Sequence, residues 1–220
     1  MRFFHSIAVG LLLVASCPAL RAQQRAAPFE NEIQAFETQD RTTSPPKNAL
    51  LFTGSSSIRL WPNLKETFPN KPVLQRGFGG SQLSDVIHFA DRVIVNYKPK
   101  QILVYAGEND IASGQSAQQV YDRFVTLFTH VRKALPKTPF VFISIKPSPS
   151  RRQYQSAVVE ANRRIKAYLA KKRRTTFVDV YSSMLDARGA MRGELFKADS
   201  LHMNAKGYEI WTQKIRPVLK

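Results

Sequence analysis

Apolar and polar positions along the chain alternate between short, nearly continuous apolar runs and longer segments with helical spacing. The apolar runs predict five strands, at residues 49–53, 73–76, 101–106, 140–145 and 177–180. Between and around them, apolar residues at three- and four-residue spacing predict helices. Three of these helices cover residues 29–40, 83–97 and 153–171, and two more begin after Ser116 and Asn204. Residues 58–68 are predicted to form a helix or turn that is interrupted at Pro62.

This alternation of strand and helix predicts the fold class. Five strand–helix units in succession indicate an α/β protein with a parallel sheet covered by helices on both sides. Ser116 and Gln119 have the spacing of a capping box, and Asn204 is suited to cap the last helix. The pattern contains no internal repeat and no second domain, so residues 49–220 are predicted to form one domain.

The N-terminal residues have the pattern of an export signal. Arg2 and His5 precede an apolar run at 7–15, which is too short to span a bilayer, and small residues follow up to Ala22. We therefore expect residues 1–22 to be a cleaved signal peptide, and 23–48 to be a linker and a short helix. The mature protein would be periplasmic or secreted. Alternatively, 14–17 resembles a bacterial lipobox, and Cys17 would then carry a lipid anchor.

Composition narrows the classes of function. The chain of 220 residues is 43% hydrophobic, which indicates a globular domain, and no apolar run predicts a membrane span. Its net charge of +17 can attract polyanions, but the cations are scattered and lack interleaved aromatics, so we expect no nucleic-acid partner. The cluster at 171–174 ends a predicted helix, where cations complement the dipole. We therefore interpret the high net charge of the chain mainly as a source of solubility.

The sequence shows no signature of a metal or cofactor site. Cys17 is the single cysteine, so the mature domain has no internal disulfide, and neither H-E-x-x-H nor paired-cysteine spacing occurs. The run 77–79 suggests a dinucleotide fingerprint, but Gln82 occupies the position of its third glycine. The elbow motif G-x-S-x-G is absent as well. We expect no cofactor and no metal.

Chemistry-bearing residues follow three of the predicted strands. Ser56, Gly80 and Asn109 come at strand ends, which meet along one edge of a parallel sheet. The last loop adds Asp199 and His202. His202 is suited to act as a base toward the Ser56 hydroxyl, and Asp199 to orient the imidazole. The N–H groups of Ser56 and Gly80 and the Asn109 amide are suited to bind an oxyanion.

These residues stand in four blocks that together resemble a known family. The blocks are 54–56, Gly80, 107–109 and 199–202, and their order is similar to that of the SGNH hydrolases, or GDSL esterases and lipases. The similarity is greatest to the branch of the platelet-activating-factor acetylhydrolase subunits and bacterial acetyl esterases. It implies a flavodoxin-like three-layer α/β/α sandwich for residues 49–220. Family spacing also singles out Ser56 among three adjacent serines.

The chain departs from the family pattern at two positions. Ser55 stands where the family usually has Asp, and Ser200 where the Asp-x-x-His block usually has Gly. Neither position belongs to the expected triad, so we expect activity to survive. Glu108 and Asp110 flank Asn109 and are expected to be solvated beside the cleft. Arg151 is expected either to line the site or to begin an exposed helix.

Two hypotheses of function follow from different classes. The resemblance implies a serine esterase that acts on small acyl esters, mainly acetyl groups on carbohydrate, through Ser56, Asp199 and His202. The alternative is a non-catalytic module that binds an anionic glycan through its basic surface. The intact triad favours the enzyme, whose partner would be a small-molecule or glycan ester. The sequence leaves the acyl length, the alcohol and the oligomeric state open.

Overall fold

The computed structural model describes residues 28–220, and its centre is one sheet of five parallel strands in the order β2-β1-β3-β4-β5. The predicted signal peptide and Cys17 lie outside the described residues. The strands are β1 Leu50–Gly54, β2 Val73–Gly77, β3 Gln101–Tyr105, β4 Phe140–Ile143 and β5 Thr175–Val178.

Helices cover both faces of this sheet. Side chains alternate along each strand, so Leu51 faces one layer while Leu50 and Phe52 face the other. The result is the three-layer α/β/α fold that the sequence predicted. The helices are α1 Glu30–Thr42, α2 Ser56–Arg59, α3 Leu64–Thr67, α4 Leu83–His88, α5 Ala90–Val93, α6 Glu108–Ala112, α7 Ala117–Ala134, α8 Gln155–Ala170 and α9 Ala205–Ile215.

One predicted helix is interrupted. The segment 83–97 forms α4, α5 and a short 3-10 helix, with a break at Phe89. Phe89 is buried and its ring packs edge-on against Phe78, which follows β2. Burying this side chain draws the backbone out of helical geometry, although the segment contains no glycine or proline. The helix caps at Ser116 and Asn204 form as predicted.

The strand order places a crevice between β1 and β3. The chain leaves β1 toward β2 on one side and later returns to β3 on the other, so the connections diverge there. Helix α9 packs over the same part of the sheet, where Trp211 contacts Trp61 and Tyr105. The Tyr208 hydroxyl donates to the Ser57 carbonyl at 3.1 Å. These contacts carry the preceding loop, with Asp199 and His202, to the carboxyl end of β1.

None of the helices in residues 28–220 has the length and apolar character needed to cross a membrane.

Candidate active site

The turn after β1 holds Ser56 in place. Gly54 has φ 121°, and a Cβ there would lie 1.8 Å from the Tyr105 carbonyl oxygen. This close approach lets the Ser55 N–H donate to the same oxygen at 2.9 Å. The chain then enters α2 at Ser56, so the first serine of the helix has its N–H directed out of the helix end. Only glycine allows this turn.

The structure brings Ser56, His202 and Asp199 into one line. His202 Nε2 lies 3.2 Å from Ser56 Oγ, and His202 Nδ1 lies 2.6 Å from Asp199 Oδ2. Because an ionised carboxylate only accepts, Nδ1–H donates to Asp199, which leaves Nε2 free to accept the serine proton. This geometry is that of a nucleophile, its base and an orienting carboxylate.

Asp199 is held as a carboxylate by several donors. His202 Nδ1 is the main one, and the N–H groups of Leu201 and His202 each donate to Oδ1 at 2.9 Å. These hydrogen bonds hold the pKa of Asp199 well below its ordinary value. The carboxylate is therefore charged at neutral pH and can stabilise an imidazolium on His202.

Three unoccupied donors come from separate loops. Within residues 28–220 neither the Ser56 N–H nor the Gly80 N–H donates to another protein group. Gly80 has φ 84°, and open space surrounds the position of a Cβ. The Asn109 Nδ2 donates one hydrogen to the Ser81 carbonyl at 3.0 Å and retains a second. This is the donor set that an oxyanion requires.

Asn109 is oriented by Arg151. The arginine Nη2 donates to Asn109 Oδ1 at 3.0 Å, so the amide cannot present its oxygen in place of its nitrogen. Arg151 Nη1 is buried without a hydrogen-bond partner in the described chain and lies 3.6 Å from Glu108 Oε1. The arginine therefore lies between the two carboxyl-end loops, and it is only 21% exposed.

A family model described as GDSL-like lipase/acylhydrolase matches residues 51–210, which include every residue of this site. The chain belongs to this family. It is therefore an enzyme of the esterase and acylhydrolase class, and the resemblance noted in its four sequence blocks is confirmed. A comparison with curated protein sequences found no match.

Solved structures share the family fold. A protein described as a platelet activating factor from Streptococcus pneumonia has a TM-score of 0.75 at 23% identity, covering 86% of this chain and 92% of that one. A GDSL-like lipase from Bacteroides thetaiotaomicron has a TM-score of 0.72 at 22% identity, covering 84% of this chain and 96% of that one. An acetyl-xylooligosaccharide esterase from Geobacillus Stearmophilus has a TM-score of 0.64 at 13% identity, covering 78% of this chain and 94% of that one.

The departure from the family pattern at Ser200 has a structural cost. Its φ is 53°, in the left-handed region that favours glycine. Three hydrogen bonds hold it there: Ser200 N–H donates to the Lys197 carbonyl, and the Ser150 N–H and Oγ donate to the Ser200 carbonyl at 3.1 and 3.0 Å. The loop after β4 thus supports the loop that carries His202.

Glu108 and Asp110 are not solvated as expected. Both are buried, and Asp110 accepts from the Leu83 N–H and from Arg123. Glu108 accepts from Lys146 Nζ at 2.9 Å and from Tyr105 and Ser148. Their spacing in sequence is typical of loop residues, but the turn after β3 enters α6 at once and points both carboxylates inward.

Sequence reasoning missed Lys146 altogether. Its side chain is 1% exposed, and Nζ also donates to the Leu201 carbonyl at 2.9 Å, one residue before the base. Burial lowers the pKa of Lys146, an effect that Glu108 opposes. Burial would raise the pKa of Glu108, but Lys146 and Arg151 hold it below its ordinary value. The sequence feature that could have indicated this residue is a lysine directly after a predicted apolar strand.

We expect Asn109→Ala to lower kcat for p-nitrophenyl acetate by about 10²–10³-fold, because it removes one oxyanion donor. KM should change much less, since the donor acts mainly on the charge of the transition state. Steady-state kinetics of purified variants measure both constants. The exposed Asn96→Ala is the matched control and should leave both unchanged. A fall in kcat below threefold for Asn109→Ala would contradict this role.

Proposed function

We propose that the protein is a serine esterase that removes small acyl groups, chiefly acetyl groups, from carbohydrate. The observation that carries the proposal is the alignment of Ser56 Oγ, His202 and Asp199 beside three free donors. Family membership supplies the hydrolase class. The finer assignment to acetyl esters is supported by the resemblance to the acetyl esterase branch and by the acetyl-xylooligosaccharide esterase that shares the fold.

The first half-reaction acylates the serine. Ser56 Oγ attacks the ester carbonyl carbon while His202 Nε2 takes the hydroxyl proton. The carbonyl oxygen becomes an oxyanion, bound by the N–H groups of Ser56 and Gly80 and by Asn109 Nδ2. The intermediate collapses, the bond to the alcohol oxygen breaks, and the imidazolium returns its proton to that oxygen. Free alcohol and an acyl-Ser56 ester result.

The second half-reaction restores the serine. Water gives a proton to His202 Nε2 and attacks the acyl carbon, and the same three donors bind the new oxyanion. When the bond from carbon to Ser56 Oγ breaks, the proton on His202 passes to that oxygen. Asp199 stays ionised throughout, because its role is to orient and stabilise the imidazolium. The free acid then leaves.

Short acyl groups should be the best substrates. The support is the acetyl-xylooligosaccharide esterase that shares the fold, together with the resemblance to the acetyl esterase branch. We expect kcat/KM on p-nitrophenyl esters to be highest for acetate and to fall at least tenfold by octanoate. A rise with chain length would overturn the acetyl assignment.

We also propose that the enzyme acts outside the cytoplasm. The support is the sequence of residues 1–22, with its basic start and short apolar run. N-terminal sequencing of the mature protein would show Gln23 after ordinary cleavage. A lipidated Cys17 would instead identify a lipoprotein, and an intact Met1 would overturn export.

A further inference from the structure

A concentration of basic residues lies at the opposite end of the sheet from Ser56. They line a groove between the C-terminal ends of α7 and α8, with a volume of about 870 Å³. We call it the basic groove. No Asp or Glu lines it, and its cations are Arg132, Lys133, Lys171, Lys172, Arg173 and Arg174.

The topology separates this groove from the catalytic residues. Arg174 precedes β5, and its carbonyl accepts from the Phe140 N–H at the start of β4. The groove therefore lies at the amino ends of these strands, whereas Ser56 and Asn109 follow the carboxyl ends of β1 and β3. Since all strands are parallel, at least one strand length, about 15 Å, lies between them. The groove is not a subsite of the reaction centre.

Cations in the groove lack the acidic partners that several arginines elsewhere in residues 28–220 have. Arg92 pairs with Glu30 and Glu37, and Arg163 and Arg164 pair with Glu160. In the groove, Arg132 is instead held by backbone carbonyls, including that of Thr138 at 2.9 Å. Burial and the charge of Arg174 both lower the pKa of Arg132. The fold maintains like charges at close range without a counter-charge, and an anion would relieve this repulsion.

The shape of the groove favours an extended polymer. A second concavity, lined by Tyr121, Arg163 and Arg164, shares Tyr168 and Lys171 with the first. Together they form a track along α8. A surface that binds a bilayer by insertion presents exposed apolar side chains. In the described chain the large exposed apolar residues are Leu60 and Val159, and neither lines the groove.

The aromatic rings that line the basic groove are not available for stacking with bases. Lys172 Nζ lies 4.6 Å from the centre of the Tyr168 ring, and the Arg132 guanidinium lies 5.2 Å from that of Phe128. Single-stranded nucleic acids bind largely through free aromatic faces. Guanidinium groups, in contrast, bind carboxylates in a bidentate manner. The groove thus has the chemistry to bind a chain of carboxylate-bearing units.

We propose that the basic groove binds an anionic polysaccharide that carries carboxylate groups, such as a polyuronate. The choice of a polysaccharide over other polyanions rests on the proposed carbohydrate esterase activity, while binding itself does not require catalysis. Holding one part of a polymer raises the effective concentration of its ester groups near Ser56 of the same or a neighbouring enzyme. The groove would thereby favour esters on acidic polymers over the same esters on neutral ones.

The test compares two charge-matched double variants of the full chain. Lys133→Glu/Lys171→Glu reverses two exposed cations of the groove, and Lys65→Glu/Lys214→Glu reverses two exposed cations elsewhere. Binding of polygalacturonate is measured by titration calorimetry at 0.15 M salt, with neutral dextran as the blank. We expect at least a tenfold loss of affinity in the groove variant and less than twofold in the control.

Two further readouts make the result specific. Hydrolysis of p-nitrophenyl acetate should be equal in parent and both variants, so a failure of the proposed chemistry is seen separately from a failure of binding. Lys133→Gln/Lys171→Gln, which adds no negative charge, should lose at least threefold in affinity. Equal losses in groove and control variants would overturn the proposal, as would tighter binding of DNA or of phosphatidylglycerol vesicles than of polygalacturonate.

Discussion

Replacing Ser56 with alanine should lower kcat for p-nitrophenyl acetate by at least about 10⁴-fold, because within residues 28–220 its hydroxyl is the one that hydrogen-bonds His202 Nε2. The residual rate would reflect the oxyanion donors and substrate binding alone. Initial rates at saturating ester, with the variant purified apart from any wild-type enzyme, measure this loss. Mass spectrometry of the parent, quenched during turnover, should show an added acetyl group that Ser56→Ala lacks.

The adjacent serines are the matched controls. Ser55 and Ser57 are both buried, and their replacement by alanine removes the same atom without touching the line to His202. Each should keep kcat within about tenfold of the parent, since their backbone groups, which bond Tyr105 and Tyr208, remain. Equal activity of Ser56→Ala and the parent would refute the assignment of Ser56 as the nucleophile. Loss in Ser55→Ala instead would move the assignment by one residue.

Lys146→Met should lower the free energy of unfolding by about 3–5 kcal/mol, because it leaves the buried Glu108 carboxylate without the cation that hydrogen-bonds it. The pair is almost fully enclosed, with side-chain exposures of 1% and 8%. Urea denaturation at neutral pH measures the loss as a shift of the midpoint. The exposed Lys214→Met removes the same charge at the surface and should change stability by less than about 0.5 kcal/mol.

A double variant separates the charge from the packing. Lys146→Met/Glu108→Gln removes both charges, so it should recover part of the stability lost in Lys146→Met alone. We expect reduced activity in both the single and the double variant, because each lacks the hydrogen bond from Nζ to the Leu201 carbonyl beside His202. A single variant that loses less than 1 kcal/mol would show that the two side chains are not a buried ion pair.

The sheet was predictable because each strand is a short apolar run in the sequence. All five residues of β1 and of β3 are buried, as expected for central parallel strands. The rule that reactive groups follow the carboxyl ends of such strands then located Ser56, Gly80 and Asn109. The structure adds that β1 and β3 are direct neighbours, which is why Ser56 and Asn109, far apart in sequence, share one crevice.

What the sequence did not predict depends on contacts between distant segments. The local sequence pattern assigns Glu108 to a polar loop. Only the placement of β4 beside β3 shows that Lys146 forms a hydrogen bond with this carboxylate. The break at Phe89 has the same origin, since the ring packs against Phe78 rather than following helical propensity. For Arg151 the sequence left two alternatives open, because only the fold shows that its side chain reaches Asn109 across 42 positions.

Ser56 and its base lie in parts of the molecule with different local stability. Ser56 follows β1, which is paired on both sides, whereas Asp199 and His202 belong to an irregular stretch between β5 and α9 with two short 3-10 helices. Segments with few backbone hydrogen bonds open at lower free energy than central strands, and their amides exchange with solvent sooner. Mild denaturant can therefore separate the imidazole from the serine while the sheet stays closed. We therefore expect inactivation to precede unfolding, and to be reversed when this loop regains its hydrogen bonds with Lys146 and Ser150.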